Sequence, residues 1–98
     1  MIIRIVKMTF NPKKIEDFEA LFSSNKMKIR NFEGCIHLEL LKDVDNPNIY
    51  FTYSFWEDPI HLSNYRNSPL FEEVWSNTKK LFSAKPEAWS VKQKVILD

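Results

Sequence analysis

Cys35, His37 and Glu39 alternate within "FEGCIHLELLKD" (residues 32–43), next to the chain's only glycine, Gly34. A thiol, an imidazole and a carboxylate are the side chains of metal centres and of cysteine–histidine nucleophiles. Strand alternation places all three on one face. Three successive positions on that face span about 13 Å, too far for one small ion. No HxxxH, CxxC or acidic cluster supplies the missing ligands, so no metal site is expected. A nucleophile needs a neighbour that lowers the thiol pKa or orients the ring, and the sequence offers none. The simpler reading makes Cys35 a small buried filler and His37 and Glu39 hydrogen-bonding partners in a sheet interface.

His61 is the second histidine, and its unperturbed pKa near neutrality suits acid–base work. Asn25, Asn64 and Tyr65 fall on helical segments and could line a cleft, although each is also an ordinary helix-surface residue. One glycine cannot build a Rossmann or Walker loop, so no nucleotide or flavin cofactor held by such loops is expected.

The elements that must position these groups read off the hydrophobic pattern. "IIRIVKMTF" is a strand over residues 2–10. Asn11-Pro12 is a cap followed by a first-turn proline, and Ile15, Phe18, Phe22, Ile29 and Phe32 then recur at helical spacing. That helix ends near Asn31, where Gly34 suits a left-handed exit. Residues 35–43 and 48–56 form a hairpin around "VDNPN". Pairing Leu40 with Phe51, Leu38 with Tyr53 and Ile36 with Phe55 collects six apolar side chains on one face, which predicts that register. Asp58-Pro59 and Ser68-Pro69 open two further helices, the second with Phe71, Val74, Trp75, Thr78, Leu81 and Phe82 on one stripe. After Pro86, "WSVKQKVIL" closes the chain as a strand. The order β-α-β-β-α-β predicts a single α+β domain over residues 1–98, ferredoxin-like, with a four-stranded antiparallel sheet.

Helices on one side leave the other sheet face open. The predicted register gives that face Cys35, His37, Glu39 and Leu41 beside Tyr50, Thr52, Ser54 and Trp56. Such a surface is too apolar for water and is expected to meet a second copy, with His37, Glu39, Tyr50 and Thr52 in the homodimer interface.

Bulk properties narrow the function. Eight Phe, three Tyr and three Trp among 98 residues are a large aromatic load that calls for a core, a pocket or an interface. Fourteen basic against thirteen acidic residues give a net charge of +1 with no basic cluster, so no nucleic-acid partner is expected. The charged N-terminal stretch does not suit a signal peptide, and no apolar run is long enough for a membrane span. One cysteine suits a reducing compartment, and a cytoplasmic location is expected.

The element order, together with "NFEGCIHLELLKD", "YFTYSFWED" and "NYRNSPLFEEVW", resembles the antibiotic biosynthesis monooxygenase (ABM) domain family over nearly the whole chain. The resemblance implies a dimeric α+β barrel made by packing two ferredoxin-like subunits sheet to sheet. It also implies oxygenation of an aromatic, quinol-like molecule by O₂ without metal or flavin, the electron-rich substrate itself reducing oxygen. Trp56 matches a pocket tryptophan of the family, and Phe71 and Trp75 are expected beside it. Family histidines in an "HxxSxHF"-like stretch are replaced here by Tyr65 and Leu70. Haem-degrading relatives need an axial histidine where this chain has Trp75 and a first-strand asparagine where it has Val6-Lys7, which disfavours haem degradation. The expected proton acceptor is therefore His61 or Tyr65, with His37 a further candidate. The alternatives are a dimeric ligand-binding or stress-associated protein without chemistry, and an isomerase or lyase of a related barrel family.

Overall fold

The computed structural model describes residues 1–98. Strand β1 (Ile2–Thr9) passes through one 3₁₀ turn (Pro12–Lys14) into helix α1 (Ile15–Arg30). Strands β2 (Cys35–Lys42) and β3 (Ile49–Trp56) form the hairpin, helices α2 (Pro59–Arg66) and α3 (Pro69–Lys79) follow, and β4 (Glu87–Val91) completes the sheet. The strand order is β2-β3-β1-β4, with every neighbour antiparallel. This is the α+β, ferredoxin-like fold that the element order predicts.

Asn11-Pro12, Asp58-Pro59 and Ser68-Pro69 each start a helical segment by satisfying an orphan backbone donor. The Asn11 side chain accepts from the Lys13 N–H at 3.0 Å, Asp58 from the His61 N–H at 3.1 Å, and Ser68 from the Phe71 N–H at 3.1 Å. Gly34 leaves α1 with φ at +88°, the only positive φ in the chain. Close by, the Arg30 guanidinium donates to the Cys35 carbonyl at 2.8 Å, tying the end of α1 to the start of β2.

The hairpin register differs from the expected one by a residue. Leu38 pairs with Ser54, Leu40 with Thr52 and Leu41 with Phe51, while a bulge leaves Ile36 unpaired between Cys35–Trp56 and His37–Phe55. A one-residue slip reverses every side chain of β3. Tyr50, Thr52, Ser54 and Trp56 therefore face the helices, and Phe51, Tyr53 and Phe55 share the open face with His37 and Glu39. The bulge also separates Cys35, buried on the helix side, from His37 on the other, so the three alternating residues do not share a face. The physical reason is that the apparently polar face satisfies itself. The Trp56 indole N–H donates to Ser54 Oγ at 3.0 Å, and the Tyr50 hydroxyl donates to the Glu19 carboxylate. Both aromatics can then be buried without orphaned polar atoms.

The last strand is shorter than "WSVKQKVIL" and begins earlier, at Glu87. It pairs with β1 from Lys7–Glu87 to Ile3–Val91, one residue short of the start of β1. The remaining edge of β1 is taken by residues 81–83: the Asn11 N–H donates to the Leu81 carbonyl, and the Ser83 N–H to the Thr9 carbonyl. Residues 92–98 have no strand to join, and Val95, Ile96 and Leu97 are exposed.

Between sheet and helices the core divides in two. Ile2, Cys35, Trp56 and Leu62 form one buried cluster, with Phe32, Leu38 and Tyr65 packed against it. Met8, Phe10, Phe18 and Tyr50 form the other, flanked by Phe22, Trp75 and Phe82 among others.

Candidate active site

A cavity of about 300 Å³ lies between the two clusters, lined by Trp56, Leu62, Leu38 and Tyr65 from one and Met8, Phe18, Phe22 and Trp75 from the other. β1 and β3 form its floor through Arg4, Val6, Thr52 and Ser54, and helices α1, α2 and α3 form its walls. One wall is a ribbon of aromatic rings in sequence. Trp56 stacks on Tyr65 with centroids 4.9 Å apart, Tyr65 meets Phe71 edge-on at 5.2 Å, and Phe71 stacks on Trp75 at 5.8 Å. Helical spacing on α2 and α3 brings Tyr65, Phe71 and Trp75 to the sheet, and β3 ends on Trp56 to meet them.

Trp56, Tyr65, Phe71 and Trp75 thus stand together along one wall. Asn25 and Asn64 do not join them: the Asn25 amide donates to the Leu21 carbonyl one turn back, and Asn64 is exposed on α2. His61 also lies outside the cavity, its ring against Gly34 and its Nδ1 2.8 Å from Asp58 Oδ1. His37 is on the open sheet face, hydrogen-bonded to Glu39 and packed on Phe55 with centroids 5.0 Å apart. Of the four residues expected in a subunit interface, only His37 and Glu39 face that way. Thr52 lines the cavity, and Tyr50 is buried in the core.

The cavity's polar groups are few. Burial, and secondarily the nearby Cys35, pushes the Tyr65 phenol well above its ordinary pKa, so the hydroxyl stays protonated and can donate a hydrogen bond at neutral pH. Burial likewise raises the Cys35 thiol, which outweighs the lowering by Arg30 and by a backbone contact, and leaves it a poor nucleophile. Thr78, on the helical stripe of α3, also lines the chamber, as do Arg4 and Arg66, which no pattern in the sequence singles out. Arg4 and Arg66 are 62 positions apart and each lacks a basic neighbour. No three His, Cys, Asp or Glu side chains converge closely enough to hold a metal ion. No helix is long and apolar enough to cross a membrane.

The sequence pattern of the antibiotic biosynthesis monooxygenase family matches residues 1–75. The chain belongs to this family. The ABM fold also recurs in solved structures along its full length. A conserved protein from Methanosarcina mazei Go1 is similar at 25% identity and a TM-score of 0.89, covering 96% of this chain and 94% of that one. A structure described as an antibiotic biosynthesis monooxygenase shares 16% identity at a TM-score of 0.89, covering 95% of this chain and 98% of its own. A Mycobacterium tuberculosis protein shares 15% identity at 0.88, covering 99% and 98%. No curated protein matches the sequence. The family match ends inside α3, so Trp75 falls at its edge and β4 beyond it.

Proposed function

We propose that this ABM-family chain is a cofactor-independent monooxygenase that oxygenates a small aromatic, quinol- or anthrone-like molecule, and that it works as a homodimer. The observation that carries the reading is the aromatic ribbon along a cavity large enough for a small fused-ring compound. An electron-rich substrate lying against Trp56, Tyr65, Phe71 and Trp75 is held by stacking and shielded from water. In this mechanism the substrate loses a proton to solvent at the cavity mouth and the resulting anion passes an electron to O₂. The radical pair combines into a peroxide, and loss of water leaves a carbonyl. A CH₂ group and O₂ thus become C=O and H₂O, with one oxygen atom retained. Tyr65, kept protonated, donates to the substrate oxygen and orients the ring. His61, outside the chamber, holds the start of α2 together with Asp58.

The corrected register strengthens the dimer. The open face presents Phe51, Tyr53, Phe55 and Ile5, and β4 adds Trp89 and Val91, 44% and 40% exposed. Covering several hundred Å² of this surface with a second copy would contribute an upper bound of about 10 kcal/mol before association costs. The test combines both parts. Pure metal-free protein is incubated with a panel of anthrones and quinols under ¹⁸O₂, and product mass reports a gained oxygen atom. No rate above the buffer blank across the panel removes the oxygenase. Sedimentation of a folded single chain at micromolar concentration removes the dimer.

A second reading has its own observation: no histidine, aspartate or glutamate lines the cavity. A ligand-binding protein without chemistry would look like this. It binds the same compounds, and Tyr65→Phe leaves cellular function unchanged.

A further inference from the structure

Arg4 on β1 and Arg66 on α2 line the same aromatic-walled cavity. Neither has an acidic partner. The chain's ion pairs belong to Lys7, Lys14, His37 and His61, and no Asp or Glu lines the cavity. Arg4 makes one side-chain hydrogen bond, to Ser90 Oγ at 3.0 Å, and Arg66 makes none. A guanidinium carries five N–H donors, so most of this capacity is unused.

The two cations also feel each other. Burial, and then the charge of Arg66, holds Arg4 below its ordinary pKa. Like charges on neighbouring side chains repel, which something negatively charged between them would relieve. Their place in the chamber shows where that something enters. Arg66, Leu62 and Phe71 line both the main cavity and an adjoining, more open recess of about 360 Å³, which extends to Ser63 and Ser90 and also lacks an acidic residue. Arg66 therefore stands where the aromatic chamber meets the outside, and Arg4 reaches the recess through its bond to Ser90.

We propose that the cavity's natural ligand is an aromatic acid, with its rings against the Trp56–Trp75 wall and its carboxylate between Arg4 and Arg66. Guanidinium forks match the two oxygens of a carboxylate, and charge-assisted hydrogen bonds of this kind are stronger than neutral ones. A phosphate-bearing ligand fits less well. Phosphate sites add backbone amides from a glycine-rich turn, and the chain's one glycine is occupied against His61. This inference rests on the cavity being the substrate site of the proposed oxygenase, and it narrows that substrate to molecules with an acidic group.

Binding is measured without oxygen, so turnover plays no part. Trp56 and Trp75 line the chamber, so their fluorescence reports occupancy. The probes are naphthoate and its neutral counterpart naphthalenemethanol. The acid is expected to bind at least about tenfold more tightly, as charge-assisted hydrogen bonding requires. Arg66→Gln, at an exposed side chain that leaves folding intact, and Arg4→Gln each reduce that preference, and the double variant abolishes it. Arg66→Lys, which keeps charge without the fork, retains part of it. Unchanged affinity for naphthalenemethanol confirms that each variant keeps its chamber. Equal binding of acid and alcohol, no binding of naphthoate, or a preference that survives in the double variant overturns the proposal. If the acid is preferred but no oxygen is ever consumed, the oxygenase fails and the anion site stands. If neutral anthrones turn over and the acid has no advantage, the reverse holds.

Discussion

Replacing Gly34 by alanine gives the most direct test of how the site's scaffold is built. An L-residue at φ +88° costs about 1–2 kcal/mol in backbone strain alone. The added methyl would also overlap Cβ, Cγ and Cδ2 of His61, so the first turn of α2 must move. That movement disturbs the Asp58 cap on the His61 N–H, a contact of the kind that contributes about 1 kcal/mol. The lower entropy of the unfolded alanine chain offsets about 0.4–1 kcal/mol. The net loss is about 1–2.5 kcal/mol, a sizeable part of the about 5–15 kcal/mol available to a domain. With a urea slope of about 1–1.5 kcal/mol per molar, the unfolding midpoint falls by about 1–2 M. Pairing Gly34→Ala with His61→Gly in a double-mutant cycle isolates the overlap, and a coupling of about 1 kcal/mol or more is expected. A single variant within about 0.5 kcal/mol of the parent, or a cycle with no coupling, refutes the claim that the glycine exists to admit the histidine.

Burial, and then the contact with Glu19, pushes the Tyr50 phenol up from 10.0 to about 12. A group raised on folding stabilises below its unfolded pKa and loses that contribution as pH rises toward the folded one, so urea midpoints should decline from pH 10 to 12. Tyr50→Phe should reduce that decline, and an identical pH profile in the variant contradicts the assignment. Asp58→Ala should lower stability by about 1 kcal/mol, and Asp58→Asn, which keeps a capping oxygen, by less. Urea midpoints that rank the two the other way refute the cap. Cys35, buried and with its thiol raised, should resist alkylation in the native protein and react readily in urea. Fast native labelling, followed by mass spectrometry, contradicts its burial.

The helix starts were legible in the sequence because capping is local: Asn11, Asp58 and Ser68 each satisfy a donor two or three residues away. The aromatic wall was legible because α3 repeats at helical spacing and Trp56 ends a strand. The direction of β3 was not, since it depends on the bulge at Ile36 and on Ser54 and Glu19 accepting bonds from side chains that looked exposed. Counting Thr52 and Ser54 as outward-facing polar residues missed that a cavity floor can be polar. Arg4 and Arg66 escaped for a related reason. Each is an ordinary arginine until the β1–α2 arrangement brings the two to one chamber.

A hollow between two packed halves has a thermodynamic corollary. Whatever fills it joins the halves, acting as the missing piece of interior, and its binding free energy adds to the resistance of the whole domain to heat. At a hundred times its dissociation constant, such a compound would add about 2.7 kcal/mol, a readily measured rise in melting temperature. Amide exchange in the middle of β1 and β3, which floor the hollow, should slow along with it. A library of small acids and phenols can therefore be ranked by melting alone, before any reaction is known.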